Sequence, residues 1–339
     1  MYKYSIKKKF NIKNILQNFS KNSLKKIYHD ILRIRLIEEA IENKYHEDEM
    51  KTPIHLVIGQ EATSVGVCYN LKKTDIVFSS HRTHGNYLAK NGDLKSMLSE
   101  FFCKETGTNN SRTGSMHLLD QKVGYGGSSA IVGGIIPIAA GHALRNKMIK
   151  KNQIIVCFIG DATLEEGVSW ETFNFAALKK LPIIFVCENN FYSVCTPLSV
   201  RQSNENLIDK VKSFDLKTFL VDGTNVIDVI QKTKLALDLI KKNRGPIFIE
   251  SQAYRLRAHG GAGDDTKTGY RSIKEYNQWN KNCPLVKFEN LLKNHKIIDN
   301  NFIKNRKKII NNEIGHAFDF AKNSKIPKAN SIYNYVYSK

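Results

Sequence analysis

Asp161 and Asn190 are the pair whose residue types and positions best suit chemistry in this chain. Asp161 follows the apolar run at residues 154–159, and Asn190 closes the sequence Glu188-Asn189-Asn190 after a second apolar run at 183–187. A hard cation such as Mg²⁺ takes six oxygens. The Asp161 carboxylate, the Asn190 amide oxygen, a backbone carbonyl at Tyr192, two phosphate oxygens and a water would supply them. The backbone amides of Ala162 and Thr163, at the mouth of the following helix, can donate to the remaining phosphate oxygens. The alternative is an ordinary strand-end acid and a turn amide, since both residue types are common there. The spacing, with Glu188 and Tyr192 as neighbours, favours the metal and a diphosphate.

That chemistry requires two parallel strands. The two apolar runs read as strands buried on both faces, and residues 164–180 between them carry Phe173, Ala177 and Leu178 at helical spacing. Glu165 and Glu166 would then occupy the first turn, where the helix dipole favours acids. A strand–helix–strand unit puts both carboxyl ends on one sheet edge, where open α/β sheets bind ligands. The expected fold is α/β: a doubly wound, mostly parallel sheet with helices on both faces. It spans residues 23–275, after a basic arm at 1–22 and before a C-terminal helical extension at 276–339. Leu24, Ile27, Tyr28, Ile31, Ile34 and Ile41 mark an amphipathic helix near the start. Loops rich in glycine, serine and asparagine are expected at 79–85, 107–114, 124–129 and 258–269, and a glycine-broken apolar helix at 131–144.

The 52 basic and 32 acidic residues give a formal charge of +20. The excess is scattered lysine, and no helix-turn-helix, zinc-finger or RNA-binding signature accompanies it, so nucleic acid is not expected as a partner. The six cysteines show neither CxxC nor metal-ligand spacing, which suits a reducing compartment. No apolar run approaches the roughly 20 residues of a membrane span. The expected location is cytoplasmic, with an organelle matrix as the alternative because the first 29 residues contain no acid.

Several further motifs stand in register with the first: His55-Leu-x-x-Gly59-Gln60-Glu61-Ala62, His81-Arg82-x-His84-Gly85, Gly114-Ser115-Met116-His117, Ile131-Val132-Gly133 and the 254–271 loop. Together they resemble the alpha subunit of the thiamine diphosphate-dependent decarboxylating component of 2-oxo acid dehydrogenase complexes, of the pyruvate, acetoin or branched-chain type. The resemblance covers residues 25–275. It implies a thiamine diphosphate-binding fold, with thiamine diphosphate and Mg²⁺ as cofactors. Asp161, Asn190 and the Tyr192 carbonyl would be the metal ligands. The Ala162 and Thr163 amides and Arg82, helped by His81, would grip the diphosphate. Ala130 and Val132 would press carbonyls on the aminopyrimidine, and Ile136 would be the apolar wedge bending the cofactor. His55 and His84 match positions near the reacting carbon and the substrate carboxylate, although buried core histidines are the other reading of both.

Three positions depart from the family's pattern. His81 stands where tyrosine is usual, which would make the grip pH-dependent. Ala162 stands where glycine is usual, so its backbone must hold an ordinary φ or shift. Gly261 stands where the family has a loop-ordering histidine, a role that would be lost or pass to His259, and the phosphorylatable serine position falls on Ala262. The loop is also expected to be more flexible than its relatives, with Asp264 and Asp265 solvated.

No glutamate on this chain matches the one that activates the cofactor's pyrimidine ring. The resemblance implies that a beta subunit supplies it within an α₂β₂ heterotetramer. The implied reaction is oxidative decarboxylation of a small 2-oxo acid, or acetoin cleavage, with acyl transfer to lipoamide on an acyltransferase core. The alternatives are a biosynthetic carboligase or decarboxylase without lipoamide, and a catalytically silent assembly subunit.

Overall fold

A computed structural model describes residues 18–334 and 336, so most of the basic arm expected at 1–22 lies outside the described residues. Helix α1 (Lys21–Tyr45) opens where the Ser20 hydroxyl accepts from the Ser23 amide at 3.0 Å. That cap starts the helix before Leu24, and all six marker residues of the amphipathic pattern are buried. Next come α2 (Glu61–Cys68), β1 (Ile76–Ser79), α3 (His84–Ala89), α4 (Leu94–Phe101) and β2 (Tyr125–Ser128). The unit expected around the candidate site follows as α5 (Ile135–Met148), β3 (Ile155–Gly160), α6 (Gly167–Leu178) and β4 (Ile183–Asn189). A two-residue hairpin, β5 (Tyr192–Ser193) with β6 (Thr196–Pro197), leads through α7 (Leu198–Arg201) and α8 (Leu207–Lys212). The sheet is completed by β7 (Lys217–Asp222), α9 (Val226–Lys241) and β8 (Ile247–Gln252), and the chain ends in α10 (Ile273–Lys281), α11 (Pro284–Asn294) and α12 (Asn300–Asn323).

The main sheet has six strands in the order β2-β1-β3-β4-β8-β7, and every neighbouring pair is parallel. The chain runs outward from β1 to β2 and then returns to β3 on the other side of β1. This reversal creates a switch-point crevice at the carboxyl ends of β1 and β3, the usual ligand position in such sheets. His81 and Arg82 follow β1, Asp161 follows β3, Asn190 follows β4, and the 254–271 loop follows β8.

Two local expectations change. Residues 124–129 were expected as a loop, yet Tyr125–Ser128 is an edge strand paired with β1. Its glycines leave room there: a Cβ on Gly126 would lie 2.6 Å from the Ile76 side chain. The crossover helix does not begin at 164. A 3₁₀ turn covers Asp161–Glu165, Glu166 is extended at φ −83° and ψ 130°, and the helix starts at Gly167. The turn is locked by the Ser169 hydroxyl donating to the Thr163 carbonyl at 2.5 Å, and Glu165 pairs with Arg201 instead of serving the helix dipole.

The C-terminal helices belong to the same apolar core as the sheet. Cys283, Phe288, Leu292, Ile310, Ile314 and Phe318 are buried in it, and α12 lies against α1 and α4. Arg33 on α1 grips Glu313, and Tyr28 donates to Glu289 at 2.6 Å. The proposed division at 275/276 falls inside α10. Among the described residues, no helix is long and apolar enough to cross a membrane.

Candidate functional site

The loop after β1 buries Arg82, which is 4% exposed. Its guanidinium donates to the carbonyls of Leu56 at 2.6 Å and His259 at 2.9 Å. Burial, and then repulsion from Arg255, pull its pKa down to about 9. Arg255 is 1% exposed and donates to the Val194 carbonyl at 2.8 Å and to the Tyr270 hydroxyl at 3.3 Å, while its Nε and Nη1 have no hydrogen-bond partner. Among the described residues, neither guanidinium forms an ion pair with a carboxylate. Two buried cations without a counter-ion form a receptor for an anion, because burying such charge unpaired is costly. Reasoning from sequence assigned no role to Arg255; its only signal was a cation directly beyond an apolar strand.

Three histidines line the same place. His55, in the segment before α2, His81, after β1, and His259, after β8, have ring centroids 4.8 to 5.3 Å apart. Burial first, and then the Arg82 charge, push their pKa values down to about 2, 3 and 4 respectively. All three are therefore neutral near pH 7.

His84 stands apart from this cluster. It opens α3 with no exposed surface, donates from Nδ1 to Glu38 at 2.7 Å, and packs its ring on Phe101. The other Glu38 oxygen accepts from the Val57 amide at 2.6 Å, so the His84–Glu38 pair braces the segment that carries His55.

At the ends of β3 and β4 the structure brings Asp161, Asn190 and Tyr192 together. Asp161 is buried and paired with Arg201, which also holds Glu165. Burial raises the Asp161 pKa and Arg201 opposes that rise. The Asn190 amide oxygen accepts from the Tyr192 amide at 3.3 Å, and its NH₂ donates to Gln60 at 3.3 Å. The Tyr192 hydroxyl donates to Glu275 at 2.9 Å, so its side chain fixes the hairpin. Arg201, absent from the expected site, supplies positive charge at the carboxylate where a divalent cation would sit. Glu188, next to them, is buried, and burial pushes its pKa up to about 7.

Ala162 lies in the 3₁₀ turn and is not among the residues with positive φ, so the methyl is accommodated with an ordinary backbone, and Thr163 beside it is buried. Ala130 is half-buried, while Ile131 and Val132 are 70% and 44% exposed at the corner before α5. Ile136, expected as a wedge toward the cofactor, has no exposed surface and packs in the core. Ile131 and Val132 are the apolar side chains that this corner presents.

The 254–271 loop is tied down along its length. The Gly261 amide donates to the Ile54 carbonyl at 2.8 Å, and the Gly263 amide donates to Glu42 at 3.1 Å, which also pairs with Arg257 at 2.6 Å. Gly261 holds φ +78°, where a histidine would be strained. Asp265 is not solvated, as expected from its sequence context, but is buried between Arg271 and Tyr270. Asp264 is exposed and accepts from the Thr266 amide. The glycine-rich run, read as a flexible cover, is pinned by contacts that its composition does not reveal.

The arrangement sets buried guanidinium groups, hard oxygen donors and neutral imidazoles on loops that follow neighbouring parallel strands at one sheet edge, which fits a diphosphate with a divalent cation. The sequence profile of the family described as dehydrogenase E1 component matches residues 29–330. The chain is 31% identical over 311 residues to the alpha subunit of acetoin:2,6-dichlorophenolindophenol oxidoreductase of Bacillus subtilis, covering 92% of each chain. It is 31% identical over 312 residues to the pyruvate dehydrogenase E1 component subunit alpha of Rickettsia felis, covering 92% of this chain and 95% of that one. The mitochondrial, testis-specific pyruvate dehydrogenase E1 alpha of Rattus norvegicus is 32% identical over 318 residues, covering 92% of this chain and 78% of that one.

Proposed function

Because the chain belongs to the dehydrogenase E1 component family, we propose that it is the thiamine diphosphate-dependent alpha subunit of a 2-oxo acid dehydrogenase. With a beta subunit it oxidatively decarboxylates a small, pyruvate-like 2-oxo acid, or cleaves acetoin, and passes the acyl group to lipoamide. The observation that carries this reading is the buried pair Arg82 and Arg255, without a carboxylate partner, across the switch-point crevice from Asp161 and Asn190.

Arg82 and Arg255, the His81 ring and the Ala162 and Thr163 amides hold the diphosphate. The Asp161 carboxylate, the Asn190 amide oxygen and the Tyr192 carbonyl would hold Mg²⁺, which would take the place that the Arg201 guanidinium has at Asp161. Ala130 and Val132 offer their backbone to the aminopyrimidine at the exposed corner. His55 and His259 stand where the substrate carboxylate would enter. His84 acts through Glu38, keeping the His55 segment in place. Thiamine diphosphate, when bound, supplies the electron sink for the pair released as CO₂ leaves. The chain's own groups bind and orient it and exclude water. The activating glutamate comes from the beta subunit in an α₂β₂ assembly, and a lipoyl acyltransferase core receives the product. A cytoplasmic location agrees with six cysteines that are all free thiols.

The test is Asp161→Ala in the co-expressed complex, with retained thiamine diphosphate measured by thiochrome fluorescence after gel filtration in Mg²⁺. The expected result is loss of Mg²⁺-dependent retention with an unchanged circular dichroism spectrum. Cofactor retained at the wild-type level would remove Asp161 from the site.

A further inference from the structure

The three-histidine cluster has a property that the diphosphate reading does not use. His55, His81 and His259 each offer one ring nitrogen, and these nitrogens all lie within 4.8 Å of one another. They come from three separate segments of chain that meet only in the folded state.

Three neutral imidazoles, completed by a fourth ligand, are a ligand set for Zn²⁺ and its neighbours Co²⁺, Ni²⁺ and Cu²⁺. With metal–nitrogen bonds of about 2.0–2.1 Å, tetrahedral ligands lie about 3.4 Å apart, so the rings must converge by up to about 1.4 Å. The surroundings allow that movement. A Cβ on Gly260 would lie 3.2 Å from the His55 Nε2, so the glycine beside His259 leaves the space that ring needs. The His55 Nδ1 is buried and has no hydrogen-bond partner, so no bond to it has to be broken as the ring turns.

The charges nearby determine the form in which a metal is held. The Arg82 guanidinium donates to the His259 carbonyl, and Arg255 lies near enough to disfavour added positive charge. A bare dication is opposed there, whereas a dication with an anionic fourth ligand is not.

We propose that His55, His81 and His259 form a binding site for a divalent transition metal of the zinc class, whose fourth ligand is an anion shared with the Arg82–Arg255 receptor. The site depends on the three rings and stands whether or not the chain uses thiamine diphosphate.

The experiment is titration of the metal-free full-length chain with Zn²⁺ by calorimetry, with and without inorganic phosphate, and with Co²⁺ followed by visible absorption. Saturable one-to-one binding is expected, tightened by phosphate, with the intense visible bands of tetrahedral Co²⁺. His81→Tyr and His259→Asn should each weaken binding by about tenfold or more. His142→Asn, at an exposed position on α5, should leave it unchanged. His259 lies in a surface loop, so its variant keeps the test valid even if His81→Tyr perturbs folding. Absence of saturable binding, or equal binding by wild type and both site variants, would overturn the proposal.

Discussion

Glu188 shows how a single residue can carry information that its position in a motif does not. It ends the buried strand β4, one oxygen receives the Asn86 amide at 3.4 Å, and the other has no partner. With a folded pKa of about 7 against 4.5 for the ordinary side chain, the native state holds the proton more tightly than the unfolded state between those values. Stability therefore falls as pH rises through that window, and the full cost, about 3 kcal/mol, is present above it. Glu188→Gln keeps an acceptor for Asn86 and removes the ionisation. The melting temperature of the cofactor-free variant should exceed wild type at pH 8, with the difference shrinking as pH falls toward 4. An identical difference at both pH values would rule out ionisation as the cause. The sequence placed Glu188 beside the site as context; only burial shows that it is a titrating group.

Among the elements, the turn before α2 is the most constrained. Gly59 holds φ +101°, and a Cβ there would lie 2.2 Å from the Tyr254 carbonyl oxygen. The two segments are joined by the Leu256 amide donating to the Ile58 carbonyl at 2.9 Å, which places Arg255. Gly59→Ala should push the 254–256 backbone away and cost more than about 2 kcal/mol. Gly167→Ala, at the first residue of α6 with open space around it, should be neutral or slightly stabilising. Urea unfolding of the two variants checks this, and equal midpoints would refute the strain argument. At this scale the strand–helix–strand unit was legible from periodicity, but the start of α6 and the strand β2 were not. Both depend on partners distant in sequence: Arg201 holds Asp161 and Glu165 in the turn before α6, and β1 draws a glycine-rich segment into the sheet.

Over the whole molecule, the C-terminal helices close the layer that α1 begins. Ile303, Ile310, Ile314 and Phe318 on α12 are buried in the common core. At roughly 1.5–3 kcal/mol for each large apolar side chain, their removal costs about 6–12 kcal/mol. That is comparable to the total stability of a typical domain, about 5–15 kcal/mol. Truncation after Ile298 should abolish cooperative thermal unfolding and expose dye-binding apolar surface. A sharp transition in the truncated chain would show that these helices are an independent appendage. The polar composition of residues 276–339 suggested an extension, because the apolar positions are spread thinly along long helices and become a face only when those helices pack.

The sequence by itself determined the parallel α/β architecture, the placing of Asp161 and Asn190 on one sheet edge, and the family. Each rests on patterns that are local or strictly ordered along the chain: apolar runs, helical spacing, strand-end polar residues. Tertiary structure alone decided that Arg255 is buried like Arg82 without a carboxylate partner, that Arg201 holds Asp161, that His84 pairs with Glu38, and that three histidines converge. Those outcomes depend on which loops meet above the switch point and on how deeply each charge is buried. Neither quantity is encoded at any single position, since both arise from contacts between segments far apart in the chain.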